Sequence, residues 1–205
     1  MNLKQVLGIY DFFMEHDTSK DMTSPQKVGW AGKFDQDVRF KVLLNIGVKP
    51  GDSILDWGCG LGHLINYMND NNIKDVRYHG IDINSYSIEK AMKSFPDHKF
   101  NTCFISDVRE HYDWILASGI FSFGVDINDI IRDVASAYEI ADKGVAFNCL
   151  LTLDDFIESG FSTYDPNDVL DVLTNIYPNV YLIQGYTNDD FTIYITKEPM
   201  YENKW

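Results

Sequence analysis

The stretch that decides the fold is Ser53-Ile-Leu-Asp-Trp-Gly-Cys-Gly-Leu-Gly62. It is a short apolar strand that ends in an acidic residue and continues into three glycines spaced two apart. Gly58, Gly60 and Gly62 allow the backbone to turn tightly and to approach a ligand where a Cβ would collide. Residues 63–71 then predict a helix, so the turn lies at a helix N-terminus. This is the usual place for a nucleotide-like ligand in an open α/β sheet.

Spacing and charge narrow the choice of ligand. A dinucleotide fingerprint needs its third glycine at position 63, which is His63. Asp56 stands two residues before the first glycine, where a carboxylate repels a pyrophosphate and favours an ammonium or a sulfonium. Asp82 ends a second predicted strand, where a carboxylate can accept hydrogen bonds from a ribose diol. These features favour S-adenosylmethionine, which has the diol and the cationic groups but no phosphate.

At this point the sequence resembles the class I S-adenosylmethionine-dependent methyltransferases. The match covers residues 54–62, Gly80-Ile-Asp82 and Ile105-Ser-Asp107. The resemblance implies that the glycine loop holds the methionine end, that Asp82 holds the ribose, and that Asp107 faces the adenine amino group. Further stretches are Gly29-Trp30, Gln36-Asp-Val-Arg-Phe40, Phe147-Asn148, Tyr164-Asp-Pro166, and Asp190-Phe-Thr192 with Lys197. With them the sequence is similar, over nearly the whole chain, to a group of bacterial methyltransferase-like proteins of undefined substrate.

The residues assigned to the cofactor come from several segments of the chain. They are Asp56, Gly58, Cys59, Gly60, Gly62, Asp82, Ile83, Asp107, Val108, Ser118, Arg39 and Trp30. Three of them have other interpretations. Asp56 could instead cap the following helix, and Asp107 could serve only as a turn residue. Arg39 could pair either with the cofactor carboxylate or with a surface acid.

Helical and strand patterns alternate along the chain, which predicts a doubly wound, mostly parallel seven-stranded α/β sheet that ends in an antiparallel hairpin. In the family resembled, the last strand is inserted between its two neighbours. We expect a single domain over residues 1–205, with residues 1–32 as an N-terminal lid. The predicted strands are 53–57, 76–82, 99–105, 113–118, 145–150, 180–184 and 191–196, and the predicted helices are 33–46, 62–71, 85–94, 127–141 and 166–176.

Composition limits the classes of partner. The net charge is −14, with 17 basic and 31 acidic residues among 205. Because nucleic-acid binding depends on Lys and Arg neutralising phosphates, nucleic acid is an unfavourable substrate. Cys59, Cys103 and Cys149 lack metal-binding spacing, so no metal site is expected. No apolar run reaches the ~18 residues that cross a bilayer, and we therefore expect a cytoplasmic protein without a membrane partner.

Two aromatic-rich irregular segments, at residues 8–32 and 151–164, are candidates for the walls of an acceptor pocket. Loops of this length in a compact domain are usually functional or disordered, and aromatic residues favour function. We expect Trp30 and Tyr164 to line the pocket. The alternative is that these rings only cover the edge of the sheet.

The end of the fourth predicted strand bears on the acceptor. It reads Ala117-Ser-Gly-Ile120 and so lacks the Asn/Asp-Pro-Pro-aromatic tetrapeptide of base amino methyltransferases. The Pro-Cys nucleophile of cytosine-carbon methyltransferases is also missing there. Ser118, Asn148 and His111 are the catalytic candidates, and His63 also lies near the predicted site. Each has a purely structural alternative.

These observations predict an enzyme that transfers a methyl group from S-adenosylmethionine to a nitrogen or oxygen of a small molecule or a protein side chain. Two alternatives stay open. One is an enzyme that breaks the same cofactor differently, such as a lyase or hydrolase. The other is a non-catalytic binding module that has kept the pocket.

Overall fold

The computed structural model of the protein describes residues 32–153 and 161–200. The expected lid, except Gly32, therefore lies outside the described residues, as does Trp30. Within the described ranges all seven strands belong to one sheet, so the fold can be followed from the glycine-rich turn to the C-terminal hairpin.

The sheet is mixed, with strand order β3-β2-β1-β4-β5-β7-β6. Strands β1 to β5 run parallel, whereas β7 is antiparallel to both β5 and β6 and lies between them. This confirms the predicted fold class and the inserted last strand. The strands are β1 Ser53–Trp57, β2 Arg77–Asp82, β3 Lys99–Thr102, β4 Tyr112–Ala117, β5 Ala141–Leu150, β6 Val180–Ile183 and β7 Asp190–Thr196.

The described residues contain five α-helices, one before β1 and four between strands, and their positions follow the predicted pattern with small shifts at the ends. The larger differences concern β3 and β5. Strand β3 ends at Thr102 because Ile105–Asp107 forms a 3-10 turn. Strand β5 begins at Ala141, four residues earlier than predicted, directly after the preceding helix. The helices are α1 Lys33–Leu44, α2 His63–Asp70, α3 Ser85–Ser94, α4 Ile127–Ile140 and α5 Pro166–Thr174.

The core consists of two apolar layers, one on each face of the sheet. Successive residues of β1 point to opposite faces, so Leu55 joins the layer beneath α4 and α5 while Ile54 joins the layer beneath α1, α2 and α3. Both side chains are fully buried. In the described ranges, none of the helices has the length and apolar character needed to cross a membrane.

Candidate active site

A cavity of about 550 Å³ lies at the carboxyl ends of the parallel strands. This volume is within the range of roughly 300–1,000 Å³ that is typical of small-molecule sites. Its walls come from α1, from the glycine-rich turn after β1, from the end of β2, and from the loop after β4. The location follows from the topology, because parallel strands direct their ends and the following loops to one edge of the sheet.

The glycine-rich turn bends back over the end of β2. Gly58, Gly60 and Gly62 all have positive φ angles, of 77°, 51° and 78°. The backbone N–H groups of Gly58 and Cys59 donate hydrogen bonds to the carbonyl oxygen of Ile81, at 2.8 and 3.0 Å. A Cβ at position 58 would lie 2.1 Å from Cγ2 of Ile120, so only glycine fits there without rearrangement.

Asp82 connects this turn to the end of β2. Its carboxylate accepts hydrogen bonds from the backbone N–H groups of Gly60 at 2.9 Å and Asn84 at 2.8 Å. Burial raises the pKa of Asp82, and these backbone hydrogen bonds oppose that effect. The carboxylate therefore holds the turn in place and also lines the cavity.

Asp56 supplies a second buried carboxylate on the same side of the cavity. The residue is only 4% exposed, and the Tyr78 hydroxyl donates a hydrogen bond to its Oδ2 at 2.7 Å. Burial raises the pKa of Asp56 to about 7, and the nearby Asp82 carboxylate adds to the rise. A cationic ligand would favour the ionised form. The glycine turn leaves open a space that a side chain would fill. The two carboxylates beside this turn fit the diol and the cationic end of S-adenosylmethionine.

The other residues assigned to the cofactor separate into two groups. Cys59, Ile83 and Ser118 line the cavity. Val108 instead packs in the core, and this corrects its assignment. The side chain of Asp107 is exposed and accepts a hydrogen bond from the Phe104 N–H at 3.4 Å, so it caps the 3-10 turn rather than lining the cavity. The cavity wall at this point is formed by the four residues before Asp107, from Cys103 to Ser106.

Arg39 lies on α1 at the opposite side of the cavity. Its Nε donates to Oδ2 of the buried Asp190, and a second guanidinium nitrogen lies 3.1 Å from Oδ1 of Asp189. A third contact goes to the backbone carbonyl of Asp35, at 2.8 Å. Arg39 thus pairs with two acids, as one interpretation of the sequence expected. One of these acids, Asp190, is buried and does not lie on the surface. Because the guanidinium also lines the cavity, a contact with the cofactor carboxylate stays a prediction.

The catalytic candidates lie in different surroundings. Asn148 is buried, and its side-chain oxygen accepts the Gly119 N–H at 2.8 Å, so it holds the loop after β4. Its amide nitrogen lies 3.5 Å from the hydroxyl of Ser118, which itself lines the cavity. His63 also lines the cavity, and burial lowers its pKa.

His111 is corrected as a catalytic candidate. It directly precedes β4 and therefore lies at the amino edge of the sheet, opposite the cavity. Its Nδ1 pairs with the exposed Asp142 carboxylate at 3.0 Å, and the residue is itself exposed. A side chain at that edge cannot reach the cavity.

Tyr164 is also corrected, because it is a core residue and does not line the cavity. It is 8% exposed, and its hydroxyl lies 2.8 and 2.7 Å from the carbonyl oxygens of Phe121 and Val125. From the same predicted segment, Phe161 does line the cavity and packs against Phe123, with ring centroids 5.1 Å apart. Of the rings in these segments that the structure describes, Tyr164 thus packs in the core and Phe161 contributes to the cavity wall.

The loop after β4 forms a further wall of the cavity and was not predicted from the sequence. Phe121, Ser122 and Phe123 all line the cavity. The signal was present in the sequence, since two phenylalanines alternate with Ser and Gly directly after an apolar strand. Two hydrogen bonds to Ser162 hold this loop in place. Ser162 donates its N–H to the Ser122 carbonyl at 2.9 Å, and the Ser162 hydroxyl oxygen accepts the Val125 N–H at 3.0 Å.

Tyr164→Phe should lower the free energy of unfolding by about 1–3 kcal/mol, because it leaves buried carbonyl groups without a donor. Thermal or urea unfolding measures this change. The matched control is Tyr138→Phe, since the Tyr138 hydroxyl makes no hydrogen bond among the described residues and its ring packs on Tyr177. Equal stability of the Tyr164 variant and the wild type would contradict the anchoring role.

Comparisons with known proteins agree with this geometry. A model of a methyltransferase domain matches residues 55–140. A protein of Mycobacterium tuberculosis (strain ATCC 25618 / H37Rv), named "Putative methyltransferase Rv1506c", is 30% identical over 156 residues, which cover 71% of this chain and 93% of that protein. The chain belongs to the class I S-adenosylmethionine-dependent methyltransferases. The expected cofactor and enzyme class are thereby confirmed.

Solved structures of this class share the fold. A magnesium protoporphyrin IX methyltransferase from Synechocystis PCC 6803 with bound S-adenosylmethionine has a TM-score of 0.68 and 13% identity, covering 96% of this chain and 99% of that one. The N-methyltransferase NodS from Bradyrhizobium japonicum WM9, in complex with S-adenosylhomocysteine, has a TM-score of 0.67 and 15% identity, covering 92% and 97%. At these identities the likeness concerns the fold of the methyltransferase alone.

Proposed function

We propose that this methyltransferase transfers the methyl group of S-adenosylmethionine to a nitrogen or oxygen atom of a small molecule, with a protein side chain as the alternative acceptor. The observation that carries the proposal is the continuity of the cavity. The same space reaches from the carboxylates of Asp56 and Asp82 to the aromatic loop after β4. Cofactor and acceptor can therefore meet within it.

The residues proposed to hold the cofactor are those at the ends of β1 and β2. Asp82 would accept the ribose hydroxyls, while Asp56 would offset the positive charge and the glycine turn would admit the methionine end. In this position the cofactor supplies a methyl group activated by the sulfonium charge. Burial raises the pKa of the Cys59 thiol well above its usual value, so we expect the thiol to stay protonated and not to act as a nucleophile.

The chain's own contribution to the reaction would be alignment and exclusion of water. The ring of Phe121 packs edge to face against two others. Its centroid lies 5.5 Å from that of Trp57 and 5.4 Å from that of Phe147. Such packing fixes the loop after β4 against the sheet. Because alignment and desolvation can supply most of the rate acceleration of a methyl transfer, no protein nucleophile is required.

The proposal is tested by incubating the protein with methyl-labelled S-adenosylmethionine and an extract of its host cells. We expect label in the small-molecule fraction and one S-adenosylhomocysteine per methyl group transferred. Asp82→Ala serves as the control for cofactor-dependent labelling. The fractions are separated by ultrafiltration and nuclease treatment before counting.

Other outcomes of this experiment would favour the alternatives. Label in the protein fraction would indicate a protein side chain as the acceptor. Label in nucleic acid would contradict the expectation, based on the net charge of −14, that nucleic acid is an unfavourable substrate. Cofactor products other than S-adenosylhomocysteine would indicate a lyase or hydrolase. Cofactor binding without turnover in any extract would indicate a binding module.

A further inference from the structure

We infer that the methyl acceptor is a cationic amine with an apolar body, and that it binds between Asp35, Asp189 and the aromatic loop after β4. This inference rests on the proposed function. It concerns the part of the cavity that lies away from Asp56 and Asp82, the carboxylates proposed to hold the cofactor.

The strand order separates the two ends of the cavity. Asp82 ends β2, whereas Asp189 directly precedes β7, four strands further along the sheet. With neighbouring strands about 4.8 Å apart, the two carboxylates lie roughly 19 Å from one another. The group that Asp189 faces is therefore distinct from the ribose. The end of β4, and with it Ser118, lies between the two positions.

The charge of the cavity favours a cation. Among the described residues that line it, five are acidic and two are arginines, and away from Asp56 and Asp82 at the cofactor end three acidic residues remain. Both guanidinium groups are already engaged, since Arg39 pairs with Asp189 and Asp190 and Arg132 pairs with Asp129 and Asp133. The carboxylates are those of Asp35, Asp56, Asp82, Asp133 and Asp189. An anionic acceptor such as a carboxylic acid would be repelled here.

Two polar side chains on α1 are available to the acceptor. The side chain of Gln36 is buried, at 5% exposure, and lines the cavity, yet its amide has no hydrogen-bond partner among the described residues. The Asp35 carboxylate lines the cavity next to it and has no ion pair within the same part of the chain. A ligand in the cavity can therefore form a hydrogen bond with this amide without breaking one among the described residues. An amine can donate to both groups.

The remaining wall is apolar and aromatic. Phe121, Phe123 and Phe161 border the cavity on the side of the β4 and β5 loops, and Leu150 ends β5 beside them. Aromatic faces attract ammonium groups and also bury hydrocarbon surface. This combination matches an amine carried on an apolar or aromatic body better than it matches a sugar or a phosphate ester.

The proposed transfer balances without a further reactant. The acceptor ammonium first releases one proton to solvent, and the neutral nitrogen then attacks the methyl carbon. A nitrogen–carbon bond forms while the carbon–sulfur bond breaks, and the electron pair of that bond stays on sulfur. The products are the methylated ammonium and S-adenosylhomocysteine.

The experiment separates the labelled products of the host-cell extract on cation and anion exchangers at pH 7. We expect a labelled small molecule distinct from unreacted S-adenosylmethionine, which is itself a cation, to be retained by the cation exchanger. Label in an anionic or neutral small molecule would overturn the amine inference and leave the proposed function standing. Label in the protein fraction alone would overturn the small-molecule amine, and absence of label from every fraction would overturn the proposed function as well.

A variant tests the assigned position of the amine. Asp189→Asn should raise the KM for the labelled acceptor by about 10- to 100-fold, the loss of one charge-assisted hydrogen bond, and leave the KM for S-adenosylmethionine unchanged. Asp171→Asn, an exposed acid on α5, is the matched control. A raised KM for the cofactor with an unchanged KM for the acceptor would show that Asp189 faces the cofactor, and would overturn the assignment.

Discussion

Replacing Asp82 with alanine is expected to weaken S-adenosylmethionine binding by about 10²- to 10⁴-fold. Charge-assisted hydrogen bonds contribute about 1.5–3 kcal/mol each, and the ribose diol offers two of them. The substitution also removes the acceptor for the Gly60 and Asn84 N–H groups, which releases the glycine turn from the end of β2. Both effects lower the affinity.

Titration calorimetry of the folded variant measures this loss. Asp97→Ala is the matched control, because Asp97 is an exposed acid outside the cavity. Asp82→Asn separates the two contributions, since its amide oxygen can still accept a hydrogen bond while the negative charge is gone. An Asp82→Ala protein that folds and binds the cofactor as tightly as the wild type would rule out the ribose assignment.

Asp56→Asn is expected to make the cofactor-free protein more stable at pH 8 and to weaken cofactor binding. The carboxyl of Asp56 has its pKa raised to about 7 by burial, above the unfolded value of about 3.9. Its contribution to stability is therefore fully present below pH ~4 and is lost as the pH rises through about 7. Asparagine avoids that loss and can still accept the hydrogen bond from Tyr78.

At about 1.4 kcal/mol per pKa unit, the gain in unfolding free energy is on the order of 2–4 kcal/mol at pH 8. Thermal unfolding at pH 5 and pH 8 should show that the melting temperature of the variant, relative to that of the wild type, increases with pH. Calorimetry at pH 8 should show weaker cofactor binding, because the charge that offsets the cation is gone. Asp97→Asn is the control. Equal melting temperatures of the Asp56 variant and the wild type at pH 8 would be inconsistent with an Asp56 carboxylate that burial destabilises.

Much of the cofactor side of the site followed from local sequence. The strand, the acid and the three glycines are consecutive, and the positive φ angles at Gly58, Gly60 and Gly62 are conformations that glycine adopts at low cost. The position of Asp82 followed from the end of the second predicted strand. The element order predicted the sheet, because alternating strands and helices favour parallel pairing.

The acceptor side depended on contacts between distant residues. Arg39 and Asp190 are 151 positions apart, and their pairing joins α1 to the start of β7. Tyr164 resembled a pocket residue in an aromatic-rich segment, but its hydroxyl is directed to the carbonyls of Phe121 and Val125. His111 is near the site in sequence order only, since it precedes a strand whose other end forms the cavity.

The amino-acid sequence by itself determined the sheet, the glycine turn and the two carboxylates at the ends of β1 and β2, because each depends on neighbouring residues and on strand ends. Only the tertiary structure decided which aromatic rings face the cavity and which acids neutralise Arg39. Side-chain burial depends on packing between elements far apart in the chain, and the periodicity of one segment does not contain that information. The same packing buries Asp56 and raises its pKa, a property that no local motif specifies.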